Sequence, residues 1–300
     1  MGAMLHVSDL ISHRFRGFGP RDAQENTLVS LRGALDWGVE IVEFDVRVAR
    51  CGTPVVYHDE WALDGDKRQR SLSDVAVKDF NKTGGRFADM PTLDALLALA
   101  ADHANPARLL VDIKDAVLSE AAIALVRAHG LAERVVYVSW LPEVLYAVSE
   151  REPEAALCLS HWARSPSLAA RAVHDVFESV TGDVPCPEPT PTGTRSGWWL
   201  RAPLSGELAE RIARTHGYVC VPAADVSAER VEAYHARGIR VSAFSYVALD
   251  PALAARAQGV DLLFSDSKTL FEAVRAREGH SSGMAGESGM GASPSRPGMA

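Results

Sequence analysis

The sequence predicts an α/β chain folded as a (β/α)₈ TIM barrel, with a small insertion after the second strand. Three observations predict it. Eight short strand-like runs alternate with Ala- and Leu-rich segments of helical periodicity, the pattern of parallel βα units. The chain has 300 residues, 47% of them hydrophobic, which suffices for one barrel around one core. Ionisable residues also gather at the C-terminal ends of the early strands, the end at which barrels carry their working loops.

The elements follow in order. A weak first strand at 7–12 leads into His13-Arg14, and a helix at 26–36 sets Leu28, Leu31 and Leu35 on one face before Gly38 ends it. The run 40–48 alternates as a strand with one chemically distinct face, and the short extended piece 55–57 ends in His58-Asp59. Residues 60–90 are polar and weakly periodic and read as the insertion. Pro91 then opens a helix, with Thr92 as its cap. Strands at 109–114, 135–139 and 155–160 alternate with helices at 119–129 and 142–149. The stretch 162–203 has no clear pattern, and its prolines between 185 and 191 demand irregular backbone. Trp198 and Trp199 within it suit either a lid or an outside packing position. Regularity returns with strands at 218–222, 239–244 and 260–265 and helices at 206–216, 227–237, 251–258 and 267–278. The barrel domain is thus expected over 1–278. The Gly-, Ser- and Met-rich tail 279–300 is expected to be disordered, since it cannot bury enough surface to offset its ordering entropy.

Composition excludes several classes of function. With 39 acidic against 31 basic residues the net charge is −8, which disfavours nucleic acid and anionic membrane. The densest basic stretch, Lys67, Arg68 and Arg70, reads as a solvated loop. Cysteines at 51, 158, 186 and 220 form no CxxC pair or zinc spacing, so reduced thiols are expected, Cys158 and Cys220 buried beside strands. No signal-like segment opens the chain, and no apolar run approaches the ~20 residues that span a bilayer. A cytoplasmic protein without membrane insertion is the expectation; the oligomeric state is not legible.

Chemistry concentrates at four strand ends. His13-Arg14 follows the first strand. Glu43 and Asp45 stand two apart in the second, so their carboxylates share a face. His58-Asp59 ends the next extended piece, and Asp112 and Lys114 end the third strand on one face. Singly, each has a plain structural reading: an exposed strand edge, a loop cap, a surface ion pair. Jointly they are harder to dismiss. Like charges packed side by side in an apolar sheet call for a cation, and hard oxygen ligands select Mg²⁺ or Ca²⁺.

These residues, with the Glu25-Asn26-Thr27 segment and Pro91-Thr92-Leu93, resemble the glycerophosphodiester phosphodiesterases in order and spacing. The resemblance is dense to residue 114. Beyond it the match is looser, through Ser139-Trp140, Gly259-Val260-Asp261 and Ser265-Asp266. It implies that His13 and His58 are the general acid–base pair, that Glu43, Asp45 and Asp112 bind a divalent metal, and that Arg14 and Lys114 hold the phosphate of a small-molecule phosphodiester. Such a set suffices physically. It neutralises the non-bridging oxygens and supplies a proton to the leaving alkoxide, with imidazoles near a pKa of about 6.5 suiting both proton transfers.

Three departures stand out. Phe15 replaces the glycine usual after His-Arg. Asp112 replaces a glutamate, one methylene or about 1.5 Å shorter. Phe244-Ser245-Tyr246 replaces Trp-Thr, and a core position is expected for Phe244. They loosen the choice of substrate. A lysophospholipid or sugar phosphodiester fits nearly as well, as does the chemistry of phosphatidylinositol- or sphingomyelin-cleaving barrels. The remaining rival is a barrel that binds a phosphorylated ligand without turnover.

Overall fold

The structure, a computed structural model, describes residues 4–20, 24–163, 176–180, 197–200 and 202–286, without the side chains of 176–180, 197–199 and 280–286. Its centre is a closed barrel of eight parallel strands: β1 (Leu10–His13), β2 (Ile41–Val48), β6 (Arg108–Ile113), β7 (Val135–Ser139), β8 (Ala156–Trp162), β11 (Tyr218–Pro222), β12 (Arg240–Tyr246) and β13 (Leu262–Ser265). Each pairs with the next. β13 returns to β1 through Leu10↔Leu263, and β8 joins β11 through Tyr218↔Cys158. All eight expected strands are present.

Strand periodicity builds both the core and the site. Alternate side chains point inward, and the inward set at mid-barrel is Ile11, Ile41, Leu110, Val136, Val138, Cys158, Tyr218, Cys220, Leu262 and Phe264, all buried. Two residues further along the same parity come His13, Glu43, Asp112, Trp140 and Asp266. The apolar floor and the polar mouth are therefore one pattern read at two heights. The opposite parity faces the helices and forms the larger core cluster, including Leu10, Val42, Phe44, Leu109, Val111, Val219 and Val241.

Helices α1 (Leu28–Trp37), α3 (Leu93–Asp102), α4 (Ser119–Ala128), α5 (Pro142–Arg151), α6 (Glu207–Arg214), α7 (Ala228–His235), α8 (Leu249–Ala257) and α9 (Lys268–Gly286) form the outer layer. α1 starts where the Thr27 side chain accepts the Ser30 N–H and stops at Gly38, whose φ of 89° is left-handed. Thr92 caps α3 by accepting from Ala95 N, as the sequence indicates.

The insertion is a folded satellite. β3 (Pro54–Val56) pairs antiparallel with β2, β4 (Trp61–Leu63) and β5 (Gln69–Ser71) form a hairpin, and a short helix α2 (Phe80–Thr83) follows. Its own core joins Ala62, Leu72, Val75, Phe80, Phe87 and Met90 to Ala49 and Val55 of the barrel side. Within 162–203, two segments are described: β9 (Val176–Val180) pairs with β10 (Gly197–Leu200), which pairs with the last residues of β8. Residues 164–175, 181–196 and 201, Cys186 among them, lie outside the described residues. α9 runs to Gly286, past the boundary expected at 278, so part of the tail extends this helix; 287–300 lie outside the described residues. Among the described residues no helix is long and apolar enough to cross a membrane.

Candidate active site

The seven residues singled out in the sequence converge at the C-terminal mouth of the barrel. His13, Arg14, Glu43, His58, Asp112 and Lys114 line one cavity, and Asp45 lies buried beneath it. Strand register brings them together: His13 stands opposite Glu43, and Asp45 opposite Asp112.

The carboxylates form a compact group. Glu43, Asp45 and Asp112 each offer an oxygen, all within 4.8 Å of one another, and could hold a metal ion. Asp45 is the most heavily bound. Its Oδ2 accepts from Asn26 Nδ2 at 2.8 Å and lies 3.0 Å from Arg14 Nε, while its Oδ1 is 2.8 Å from Lys114 Nζ. Lys114 also contacts Asp112 Oδ2. Asp112 Oδ1 is buried with no hydrogen-bond partner among the described residues. A buried carboxylate oxygen without a donor is costly unless a cation meets it.

The electrostatics follow from that packing. Burial would raise Asp45, but Arg14 and Lys114 hold it well below the usual carboxylate range. Burial, with Asp45 and Asp112 alongside, pushes Glu43 well above that range. Burial also raises Asp112, against the pull of Lys114. Burial would lower Lys114 and Arg14, yet the neighbouring carboxylates raise both. Three carboxylates thus share two resident cations, and the remaining negative charge is met by a proton or by a metal. Three hard oxygen donors, one of them orphaned, fit a divalent ion.

Each histidine is oriented by a carboxylate. His13 Nδ1 donates to Asp266 Oδ1 at 2.6 Å, and His58 Nδ1 donates to Asp59 Oδ1 at 2.6 Å. A carboxylate only accepts, so Nδ1 carries the proton and Nε2 keeps its lone pair. His13 Nε2 lies 3.8 Å from Glu43 Oε2. The ordinary pKa expected from sequence does not hold for either ring. Burial lowers His13 despite its bond to Asp266, and burial lowers His58 to about 3 despite Asp45 nearby.

Several participants escape a reading of the sequence by chemistry alone. Glu25, Asn26 and Thr27 divide three tasks: Glu25 pairs with Arg14 and Arg16, Asn26 holds Asp45, and Thr27 caps α1. Asp266 sits 253 residues from His13, a pairing that no local pattern shows. Phe15 is fully buried against Phe44, so the residue in place of glycine is a core anchor. Phe244, expected in the core, instead lines the cavity, 5.7 Å from Trp140, which packs 5.3 Å from Trp162. The mouth therefore has a charged side and an aromatic side.

Comparison with known proteins places the chain in a family. Glycerophosphodiester phosphodiesterase 1 of Homo sapiens is 28% identical over 190 residues, 58% of this chain and 56% of its own length, so the match spans about half of that relative. A glycerophosphodiester phosphodiesterase of Caldanaerobacter subterraneus is 22% identical over 180 residues, 53% of this chain and 73% of that protein. Among solved structures, one from Silicibacter pomeroyi superposes with a TM-score of 0.67 at 22% identity, covering 93% of this chain and 96% of its own. An Oleispira antarctica phosphodiesterase, solved with the product sn-glycerol-3-phosphate, gives 0.63 at 20% identity, covering 89% and 96%. At such identities the solved structures speak for the fold. The glycerophosphoryl diester phosphodiesterase family model matches residues 13–269, nearly the whole barrel, and the chain belongs to that family.

Proposed function

We propose that the protein hydrolyses glycerophosphodiesters to sn-glycerol 3-phosphate and an alcohol. The observation that carries this reading is the meeting of two carboxylate-oriented imidazoles, three clustered carboxylates and two cations at one barrel mouth. Family membership and the product named for the Oleispira relative support the same substrate class.

In this reading Glu43, Asp45 and Asp112 hold a divalent ion, Mg²⁺ or Ca²⁺, which supplies Lewis-acid stabilisation of charge on the phosphoryl oxygens. Arg14 and Lys114 hold Asp45 and Asp112 in place and turn positive potential toward the phosphate. The nucleophile is a hydroxyl, from water or from the substrate's own glycerol. One neutral imidazole takes its proton at Nε2 as the new P–O bond forms. The other imidazole, protonated at Nε2, gives that proton to the alkoxide as the old P–O bond breaks. Burial keeps both rings neutral in the free protein. The negative charge of a bound diester opposes that lowering, so the ring nearest the phosphate is the one that charges. Asp59 and Asp266 fix both Nδ1 protons, leaving each Nε2 for the reaction.

Phosphorus NMR of glycerophosphocholine incubated with the purified chain tests the reading. The diester signal is expected to convert to a monoester, through a cyclic phosphate if the glycerol hydroxyl attacks first. Persistence of the diester with folded protein and every divalent ion tried would exclude the proposal, and other small phosphodiesters would be examined next.

A further inference from the structure

Arg16 has no part in the mechanism above, yet it lines the same cavity. Its position is built by the loop after β1. Phe15 is fully buried, its ring 6.0 Å from that of Phe44, so the loop is pinned into the core between Arg14 and Arg16. Arg14 and Phe15 adopt φ of 56° and 61°, a left-handed backbone that side chains accept only when the surroundings hold them. The turn sets the two guanidiniums on either side of Glu25. Arg14 NH1 is 3.6 Å from Oε1, and Arg16 binds Oε2 through both Nε and NH2. Arg16 NH1 then lies 3.5 Å from Asp266 Oδ1, the same oxygen that accepts from His13 Nδ1. Gly17 permits this close approach: its φ is 77°, and a Cβ there would lie 3.0 Å from Lys268 N, two residues after Asp266.

We propose that Arg16 is a positioning residue of this site: anchored by Glu25, it holds the Asp266 carboxylate against His13 and thereby fixes the direction of the His13 ring. Asp266 is 16% exposed at its side chain, follows β13 at the cavity edge, and is met there by His13, Ser245 and Arg16. Of these, the Arg16 guanidinium is the one charge beside Oδ1 that is itself anchored elsewhere, on Glu25, and it favours the orientation in which that oxygen faces His13. A simple surface ion pair is the competing explanation, since the Arg16 side chain is 35% exposed. Such pairs contribute little to stability, and on that explanation losing this one leaves the His13–Asp266 bond as it is. The two explanations therefore part at His13.

The kinetic arm of the test rests on the phosphodiesterase reading; the spectroscopic arm does not. Wild type, Arg16→Gln, Arg16→Lys, Asp266→Asn and the Arg16→Gln/Asp266→Asn double variant are compared as full chains of matched thermal midpoint. Arg16→Gln is expected to lower kcat about ten-fold with KM changed less than about two-fold, the usual scale for removing a partner that orients a functional histidine. Arg16→Lys recovers part of the loss, and the double variant is no slower than Asp266→Asn alone, because both act through one contact. In protein labelled with nitrogen-15 histidine, the protected Nδ1 proton of His13 is expected in wild type and Arg16→Lys and lost in Arg16→Gln. An unchanged His13 signal in Arg16→Gln, additive losses in the double variant, or a rise in KM alone would each overturn the proposal. A wild type that cleaves no diester sinks the phosphodiesterase reading instead, and the His13 signal then decides on Arg16 by itself.

Discussion

Asp45 shows how one residue sets the character of the site. It is completely buried, yet Arg14, Lys114 and Asn26 all point at it. Removing its charge takes from each of two buried cations its closest or shared carboxylate, leaving Arg14 with Glu25 and Lys114 with Asp112, and breaking a buried pair costs up to roughly 3–5 kcal/mol. Asp45→Asn is expected to lose turnover and to unfold at markedly lower urea, whereas a surface-like Asp45 would leave the urea midpoint unmoved. His13→Ala and His58→Ala should behave differently. Each removes a proton carrier, with an expected loss of about 10²–10⁴ in kcat, while folding is largely retained. Glu43 and Asp45 were legible because a spacing of two in a strand means one face. His13, His58, Asp112 and Lys114 were legible because they end strand-like runs. Asp266 and Arg16 were not: what recruits them is a contact across the barrel seam between β13 and β1, which sequence distance hides.

At the level of elements, inward parity accounts for most of the site. Ile11 continues to His13, Ile41 to Glu43, Leu110 to Asp112 and Val138 to Trp140, so a strand that fills the floor necessarily presents its next inward residue at the mouth. The same logic moved Phe244 from the expected core to the cavity wall, since it follows Ser242 on the inward face of β12. Helix starts were readable from their caps. Thr92→Ala should cost about 1 kcal/mol, the usual value of a lost N-cap, and leave activity intact; a loss of activity would mean that α3 is coupled to the site more tightly than its cap geometry indicates. The insertion was legible as a break in rhythm but not as a folded unit. Its hairpin and its small core of Phe80, Phe87 and Met90 arise from contacts among short segments that have no periodicity of their own.

For the molecule as a whole, eight alternating units specified barrel closure, and the last pairing, β8 with β11, spans the stretch where the sequence pattern fails. A buried network ties that seam together. His161 Nδ1 donates to the Trp162 carbonyl at 3.0 Å, its Nε2 accepts from the Tyr234 hydroxyl at 2.8 Å, and that hydroxyl accepts from Leu204 N at 3.1 Å. Burial lowers His161 to about 4, with Arg230 acting in the same direction. The unfolded chain therefore binds this proton near pH 6.5 and the folded chain does not. His161 contributes full stability above that pH and loses it as pH falls toward 4, by up to about 3 kcal/mol. Urea titrations across that window should show the decline, to which the buried His13 and His58 also contribute, and His161→Gln, which keeps an acceptor for Tyr234, should make it shallower; an equal slope in the variant would place the acid sensitivity elsewhere. The central claim, however, concerns chemistry at the mouth. Its most direct measurement is release of sn-glycerol 3-phosphate from glycerophosphocholine by the purified chain, before EDTA, after EDTA, and after Mg²⁺ or Ca²⁺ is restored. The account expects release that EDTA abolishes and one of the two ions recovers; folded protein that releases nothing with either ion, or releases product equally well in EDTA, would contradict it.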